Sequence, residues 1–558
     1  MPSSSSPDAP LVSRRALLLG VGGLVAGAAL TRGPVASAAT TAARAGASAA
    51  PTGVPAGPVD LTRFMSTDTF RQHGAEARAL GLRETGSAGT EAYISTYAAR
   101  LEAAGVQDVH LEPVPLTQWH STGHGLTVAG RAVPWTFYAP YSGSTPTAGV
   151  TGELVFVEFN QVTSQSVEAL ELVYGSLAGK IVVFDLAAGS LPYAAFAGVS
   201  YPGALQVPTA DAPRLSGNFS RPFLGIGAVI TAIDLLGQAG AAAGVGIWTD
   251  LPKEWARQYV PYDGKLRGCP TLFVDSTQGP QLQALAKAGG TRATAVLTAT
   301  VKEVTTNNLI GFIPGKTDEL TVLHTHTDGT NELEENGTDG VLAAADYLVK
   351  HVESGGQLDR TIMVFLSTGH FAGGNGVRHW MAKEASGLVP KVSSILTIEH
   401  LGALEWLPDG TGAIRPTGNH EPGAFFGPDS LGLIAAATEG LKKMPLFGTV
   451  ARPFLPAQHE PPGSTQQLMW PGEGTYFYTY GPALRDVNFI TGPYALLAAG
   501  MDTTGMVDYE LMRSQSVAAT EIILRLAQTS QQAFDLPADG TLLLPAATPV
   551  GASSLVKP

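Results

Sequence analysis

The chain has 558 residues, with 34 basic and 47 acidic side chains, 12 histidines and one cysteine, Cys269. A single cysteine forms no internal disulfide, cysteine-rich zinc site or iron–sulfur cluster, so the chemistry must come from carboxylates, imidazoles and hydroxyls. A net charge of −13 without any Lys/Arg run excludes a nucleic-acid partner, which needs a basic patch, and 44% hydrophobic residues suffice for large cores rather than disorder.

The chain opens with Ser13-Arg14-Arg15-Ala16-Leu17-Leu18-Leu19, an apolar run to Leu30, and Ala36-Ser37-Ala38. This resembles a twin-arginine signal peptide over residues 1–38, cleaved after Ala38, and it predicts a secreted or cell-envelope protein. The apolar run is shorter than the ~20 residues of a membrane span, and no later segment looks like one, so no membrane partner is expected after cleavage. Residues 39–60 are Ala/Thr/Gly/Pro-rich without hydrophobic period and read as a flexible linker.

Residues 61–148 form the first part of the main domain. Tyr93, Ile94, Tyr97 and Leu101 share one helix face after the Gly86–Gly89 turn, and a strand follows at Val109–Val114. Residues 149–301 alternate strand and helix, with strands at Glu153–Glu158, in GKIVVFDL and at Val245–Trp248. Residues 302–530 continue with strands Leu320–His324, Thr361–Leu366 and Ser394–Glu399 and helices Val341–Val352 and Asn375–Lys383; residues 531–558 are a tail. Apolar strands separated by amphipathic helices predict an α/β fold with a mainly parallel sheet sandwiched by helices.

Ligands of such sheets sit at the carboxyl ends of the strands. Here those ends carry His324-Thr325-His326-Thr327-Asp328, Ser367-Thr368-Gly369-His370 and Glu399-His400, and Glu334-Glu335-Asn336 lies just before the Val341 helix. Imidazoles and carboxylates drawn from neighbouring strands are the ligand set of zinc or a similar divalent ion. His326 and Asp328 alternate with Thr327, so they point the same way, with Asp328 as a ligand or as the group that orients His326. His120 and His124, in Trp119-His120-Ser121-Thr122-Gly123-His124, have a suggestive spacing but are better read as structural.

His326-Thr327-Asp328, with RETGSAGTEAYISTYAARLEAAGV and NNLIGFIPGKTDELTVLHTHTDG, resembles the M28 zinc peptidases. GKIVVFDL, AGAAAGVGIW and CPTLFVDSTQGPQLQAL resemble the β-rich protease-associated (PA) domain inserted in many of them. The resemblance covers nearly all the chain beyond the signal. It implies a phosphorylase/hydrolase-like sandwich, hydrolysis of a peptide or small amide substrate, and bound zinc. The site departs from the family pattern in four places. Asn336 stands for the bridging aspartate, Gly369-His370 for the Glu-Glu pair of base and ligand, Glu399 for an aspartate, and Ala498 for the last histidine. The expectation is therefore one divalent ion, Zn2+, held by His326, His370 and Glu399, with Asp328, His400 or His324 as fourth ligand or support. Glu335 or Glu334 would replace the base and Asn336 would support the oxyanion. Asp339 is expected to cap the helix, His459 could replace the missing ligand, and Ser367 or Thr368 beside His370 is a minor nucleophile candidate. Trp406, Trp470, Tyr476, Phe477 and Tyr478 could line the pocket. The alternative is a secreted binding protein that kept the fold and lost turnover.

Overall fold

The computed structural model describes residues 59–159, 166–193, 216–428, 430–441, 472–479 and 484–536. The signal segment, nearly all of the linker, His459, Trp470 and the end of the tail lie outside them. Val59 is already packed, its N–H donating to Glu521 at 2.6 Å, so the fold begins inside the segment expected to be linker. No helix among the described residues is long and apolar enough to cross a membrane.

Two helices open the domain, α1 (Thr67–Leu80) and α2 (Ala88–Ala103), each started by a serine, Ser66 or Ser87, whose hydroxyl accepts an N–H of the first turn. The face expected from Tyr93, Ile94, Tyr97 and Leu101 is fully buried. The expected strand at Val109–Val114 is only part of β1 (Gln107–Val128), a 22-residue strand. The strands β2 (Val150–Phe156), β3 (Ile181–Leu186), β4 (Ala243–Trp248) and β5 (Thr271–Val274) follow, interleaved with α3 (Val167–Tyr174), α4 (Ile226–Gln238) and α5 (Gly279–Ala288). Then come β6 (Arg292–Ile313), β7 (Thr317–His326), α6 (Glu332–Glu335), α7 (Gly337–Glu353), β8 (Arg360–Ser367), α8 (Asn375–Lys383) and β9 (Val392–Glu399). The series ends with β10 (Gly423–Phe426), β11 (Asp486–Thr491) and α9 (Tyr509–Gln528).

One continuous sheet runs in the order β10-β11-β9-β7-β8-β6-β2-β3-β4-β5. The pairs β11/β9, β9/β7 and β7/β8 are parallel, as are β2/β3, β3/β4 and β4/β5. The long β6 joins the two halves. Its start pairs antiparallel with β2, its end with β8, and its whole length with β1, so the lobe of residues 150–288 grows out of the same sheet. In the centre the side chains alternate between two cores. Leu320, Val322, Met363, Phe365 and Ile395 face Trp380 of α8, while Leu323, Val364, Leu366, Leu396 and Ile398 face Val341 and Leu348 of α7. Strands buried on both faces read as unbroken apolar runs, and only where the run ends can polar groups gather.

Candidate metal centre

The parallel strands β7, β8 and β9 end side by side, with β7 between the other two. The chain leaves β7 for β8 through α7 and leaves β8 for β9 through α8. It thus departs on opposite sides of β7, which opens a crevice at the carboxyl ends. His326 ends β7, His370 follows β8, Glu399 ends β9, and Glu334 enters from α6. Neighbouring residues of a strand point to opposite faces, so Glu399 and His400 could not both face inward on extended chain. His400 escapes this by taking φ 55°, a left-handed conformation rare for a residue with a Cβ, and its imidazole turns in beside Glu399.

The side chains converge without touching. His326 Nε2 lies 3.7 Å from Glu334 Oε1 and 3.7 Å from Glu399 Oε2. His370 Nε2 lies 3.5 Å from Glu334 Oε1, and His400 Nε2 lies 3.9 Å from both carboxylates. All three imidazoles have Nδ1 engaged: His326 with the Asp328 carbonyl at 2.9 Å, His370 with Glu473 at 2.5 Å and His400 with the Thr491 carbonyl at 2.7 Å. With Nδ1 so engaged each Nε2 points into the crevice, and in the neutral ring it carries the lone pair of a metal ligand. His326 Nε2, His400 Nε2, Glu399 Oε2 and Glu334 Oε2 are buried with no hydrogen-bond partner, a costly arrangement unless a cation completes it. Ligand atoms about 2.0–2.2 Å from one zinc lie roughly 3.4 Å apart in a tetrahedron, a few tenths of an ångström inside the spacings here. The triads His326–Glu334–His370 and His326–Glu399–His400 both satisfy ligand spacing, but they share one nitrogen with one lone pair, so the donor set fits one ion rather than two.

Electrostatics follow from this packing. Burial pushes the Glu334 and Glu335 carboxyls up to about 7. Burial would also raise Glu399, but a proton on His326 Nε2 that is shared with it, and the charge of the neighbouring rings, hold it down at about 2. Burial lowers His326 in turn, but Glu334 and Glu399 outweigh that and push it well above its usual range, so Nε2 is a position that binds a proton or a cation. Two glycines admit the carboxylates: a Cβ at Gly329 would collide with both Glu334 and Glu335, and Gly472 (φ 104°) would place one 2.6 Å from Glu399 Oε1.

Several expected residues stand elsewhere. Asp328 is no ligand here, because its oxygens accept from the N–H groups of His370 and Phe371 at 3.1 and 2.9 Å and from the Thr85 hydroxyl at 2.5 Å, fixing the turn after β8. Glu335 faces away from the crevice and pairs with buried Arg83, so of the two glutamates only Glu334 reaches the imidazoles. Asn336 supports no oxyanion; its amide grips both backbone groups of Leu401, at 2.7 and 2.8 Å, and so holds the turn carrying His400. Asp339 sits in the first turn of α7 but spends its carboxylate on His73 and Tyr97. His324 is a core imidazole held by Thr397 and Ser367 at 3.0 and 3.1 Å; Ser367 and Thr368 are both fully buried and neither lines the cavity that opens on the centre, which removes them as nucleophiles. His120 pairs with Glu84 and His124 with Thr136, and neither joins the converging groups at the strand ends. Ala498 brings no ligand, and Phe477 and Tyr476 pack in the core. Glu473 escaped the sequence reading: fully buried, it bonds His370 Nδ1 with one oxygen and the Ser367 hydroxyl at 3.2 Å with the other.

A cavity of about 120 Å³ opens on this centre, with Glu334, His370, Glu399 and His400 on its floor. Its walls come from both halves of the molecule: Tyr193, Phe219 and Phe223 from the lobe of residues 150–288, and Phe426, Ile490 and Leu497 from the far side.

No family model matches the sequence, and no curated protein matches it. Among solved structures the chain is similar to a zinc aminopeptidase from Bacillus subtilis, with TM-score 0.55 and 15% identity over 82% of this chain and 94% of that one. It is similar also to a peptidase M28 precursor from Shewanella amazonensis, with TM-score 0.55 and 15% identity over 83% and 98%. A third is an aminopeptidase from Aneurinibacillus sp. strain AM-1, with TM-score 0.51 and 15% identity over 83% and 94%. At this identity the likeness carries the fold, which is the α/β sandwich expected from the sequence.

Proposed function

We propose that this protein is an exported, metal-dependent hydrolase of amide or peptide bonds with a single divalent ion, Zn2+, at the ends of β7, β8 and β9. The observation that carries this reading is the convergence of His326 Nε2, His400 Nε2 and Glu399 Oε2, all buried and unpartnered. These three would hold the ion, with His370 beside them. A bound divalent ion supplies Lewis acidity toward a substrate carbonyl and toward water.

The remaining work falls to the chain. Glu334 lies against all three imidazoles and borders the cavity, so it carries the proton from water to the leaving nitrogen, the task for which Gly369 offers no side chain. Hydrolysis adds hydroxyl to the carbonyl carbon and a proton to that nitrogen, and the C–N bond breaks. Glu473, Asp328 and Asn336 orient the imidazoles through His370, the turn after β8 and the turn after β9. The twin-arginine segment supports export, and the lobe of residues 149–301, which walls one side of the cavity, is read as the PA insertion. The neighbours named as zinc aminopeptidases support peptide or small amide substrates.

Metal analysis of the protein purified from its exporting host, with amide hydrolysis before and after chelation, tests the reading. About one zinc per chain and chelator-sensitive turnover are expected. Bound metal without turnover on any amide would leave a secreted binding protein.

A further inference from the structure

The lobe of residues 150–288 sends a buried cation toward the metal centre. Arg221 ends the second of two short antiparallel strands, Gly189–Pro192 and Asn218–Arg221, and is 1% exposed. Its guanidinium reaches out of the lobe: Nη2 and Nε donate to Glu421 at 2.5 and 2.9 Å, Nη2 to Glu405 at 3.4 Å, and Nε also to the Gly492 carbonyl at 3.0 Å. A planar guanidinium fork is suited to gripping several acceptors at fixed angles. These partners flank His400 from both directions. Thr491, beside Gly492, accepts from His400 Nδ1 at 2.7 Å with its carbonyl and donates its hydroxyl to the His400 carbonyl at 2.5 Å. On the outgoing side the Glu421 N–H donates to the Ala403 carbonyl at 2.8 Å, and Glu405 stands in the strand Leu404–Pro408 that follows. The lobe also presses on Gly492, where a Cβ would lie 2.8 Å from the Phe223 ring and 3.1 Å from that of Phe219. Between these two segments His400 holds φ 55°, a left-handed conformation that a residue with a Cβ keeps only where its surroundings over-determine it.

Resting on the hydrolase reading above, in which His400 is a ligand, we infer that Arg221 is a positioning residue. It ties the lobe to the segments on either side of His400 and thereby keeps His400 Nε2 aimed at the ion. The lobe is then a structural part of the metal centre as well as a wall of its cavity, and losing the tie withdraws a ligand.

The test uses the full mature protein. Arg221→Met keeps an apolar stem and removes the fork. Arg221→Met/Glu405→Gln/Glu421→Gln removes the buried charges together, so a folding defect of the first variant does not decide the matter. In either, zinc affinity is expected to fall about tenfold, the lower end of the loss when an orienting group of a ligand is removed. The visible spectrum of the cobalt-substituted variant is expected to shift toward that of His400→Ala. In a His400→Ala background Arg221→Met is expected to change zinc affinity by less than about threefold, because the ligand it positions is gone; a merely structural residue would cost the same factor in both backgrounds. Parental affinity and spectrum in a folded Arg221 variant, or an undiminished loss in the His400→Ala background, overturns the inference. Hydrogen exchange of the metal-free protein reads the same tie without zinc. Residues 399–405 and 489–493 are expected to exchange about tenfold faster in Arg221→Met, and parental exchange there counts against the assignment. If the parent binds no zinc or cleaves no amide, the hydrolase reading fails, and exchange still decides whether Arg221 holds the turn of His400.

Discussion

His324 and His326 are two residues apart on β7, share a face of the strand and are both fully buried, yet they live in opposite chemical layers. The lower layer is closed. Asp486 accepts from the Thr397 hydroxyl at 3.1 Å, both ring nitrogens of His324 are engaged between Thr397 and Ser367, and the Ser367 hydroxyl donates to Glu473 at 3.2 Å. Burial pushes the carboxyls at the layer's two ends, Asp486 and Glu473, well above their usual range. Burial likewise drives His324 down to about 3, where it stays neutral. In the upper layer the nitrogens and oxygens point at one another 3.5–3.9 Å apart, and His326 Nε2, His400 Nε2 and Glu399 Oε2 have no hydrogen-bond partner among the described residues. Burial of a histidine therefore says little; the balance of donors and acceptors around it separates a structural imidazole from a ligand.

The contrast is broken most completely at His326. In His326→Ala the nitrogen common to both ligand triads is gone, and bound zinc and turnover are both expected to vanish while circular dichroism stays that of the parent. Full zinc occupancy in this variant would refute the centre. Glu334→Gln is expected to keep the metal and lower kcat by about 10²–10⁴-fold, the usual contribution of a positioned general base. A variant with parental kcat would return the proton transfer to some other group.

Glu473 tests the junction of the two layers. Glutamine keeps a polar group of the same length within reach of both His370 and Ser367, so Glu473→Gln is expected to stay close to the parent. Glu473→Ala leaves His370 without an orienting partner and is expected to lose about 10–100-fold in zinc affinity or activity. Equal damage in both variants, read by zinc titration, would mean that His370 depends on the charge of an ionised Glu473 rather than on its shape.

Much of this molecule was readable from its sequence because both faces of the central strands are buried. Apolar runs marked β7, β8 and β9 to within three residues, and the polar residues after them were the natural place for a site. His326, His370, Glu334 and Glu399 could be named on that ground. Which neighbour of Glu399 turned inward could not, because strand alternation forbids what the positive φ of His400 achieves. Glu334 and Glu335 were indistinguishable until Arg83, some 250 positions away, claimed one of them. Glu473 had no periodic context at all; its setting between Gly472 and Gly474 signals only that the backbone there approaches something closely. The long pairing of β1 with β6 also lay beyond local pattern, since much of β1 is polar and exposed.

The smallest functional effect is expected in the closed layer. His324→Leu keeps the volume of a buried side chain but strips a ring-nitrogen partner from both Thr397 and Ser367. Each orphaned partner costs about 1–3 kcal/mol, so thermal unfolding should come measurably earlier. Thr397 keeps Asp486 and Ser367 keeps Glu473, so the orientation of His370 survives. Zinc content and kcat measured well below the new melting temperature should then match the parent. Loss of metal in His324→Leu would show that the two layers act as one unit, and the distinction between a satisfied and an open imidazole would no longer locate the site.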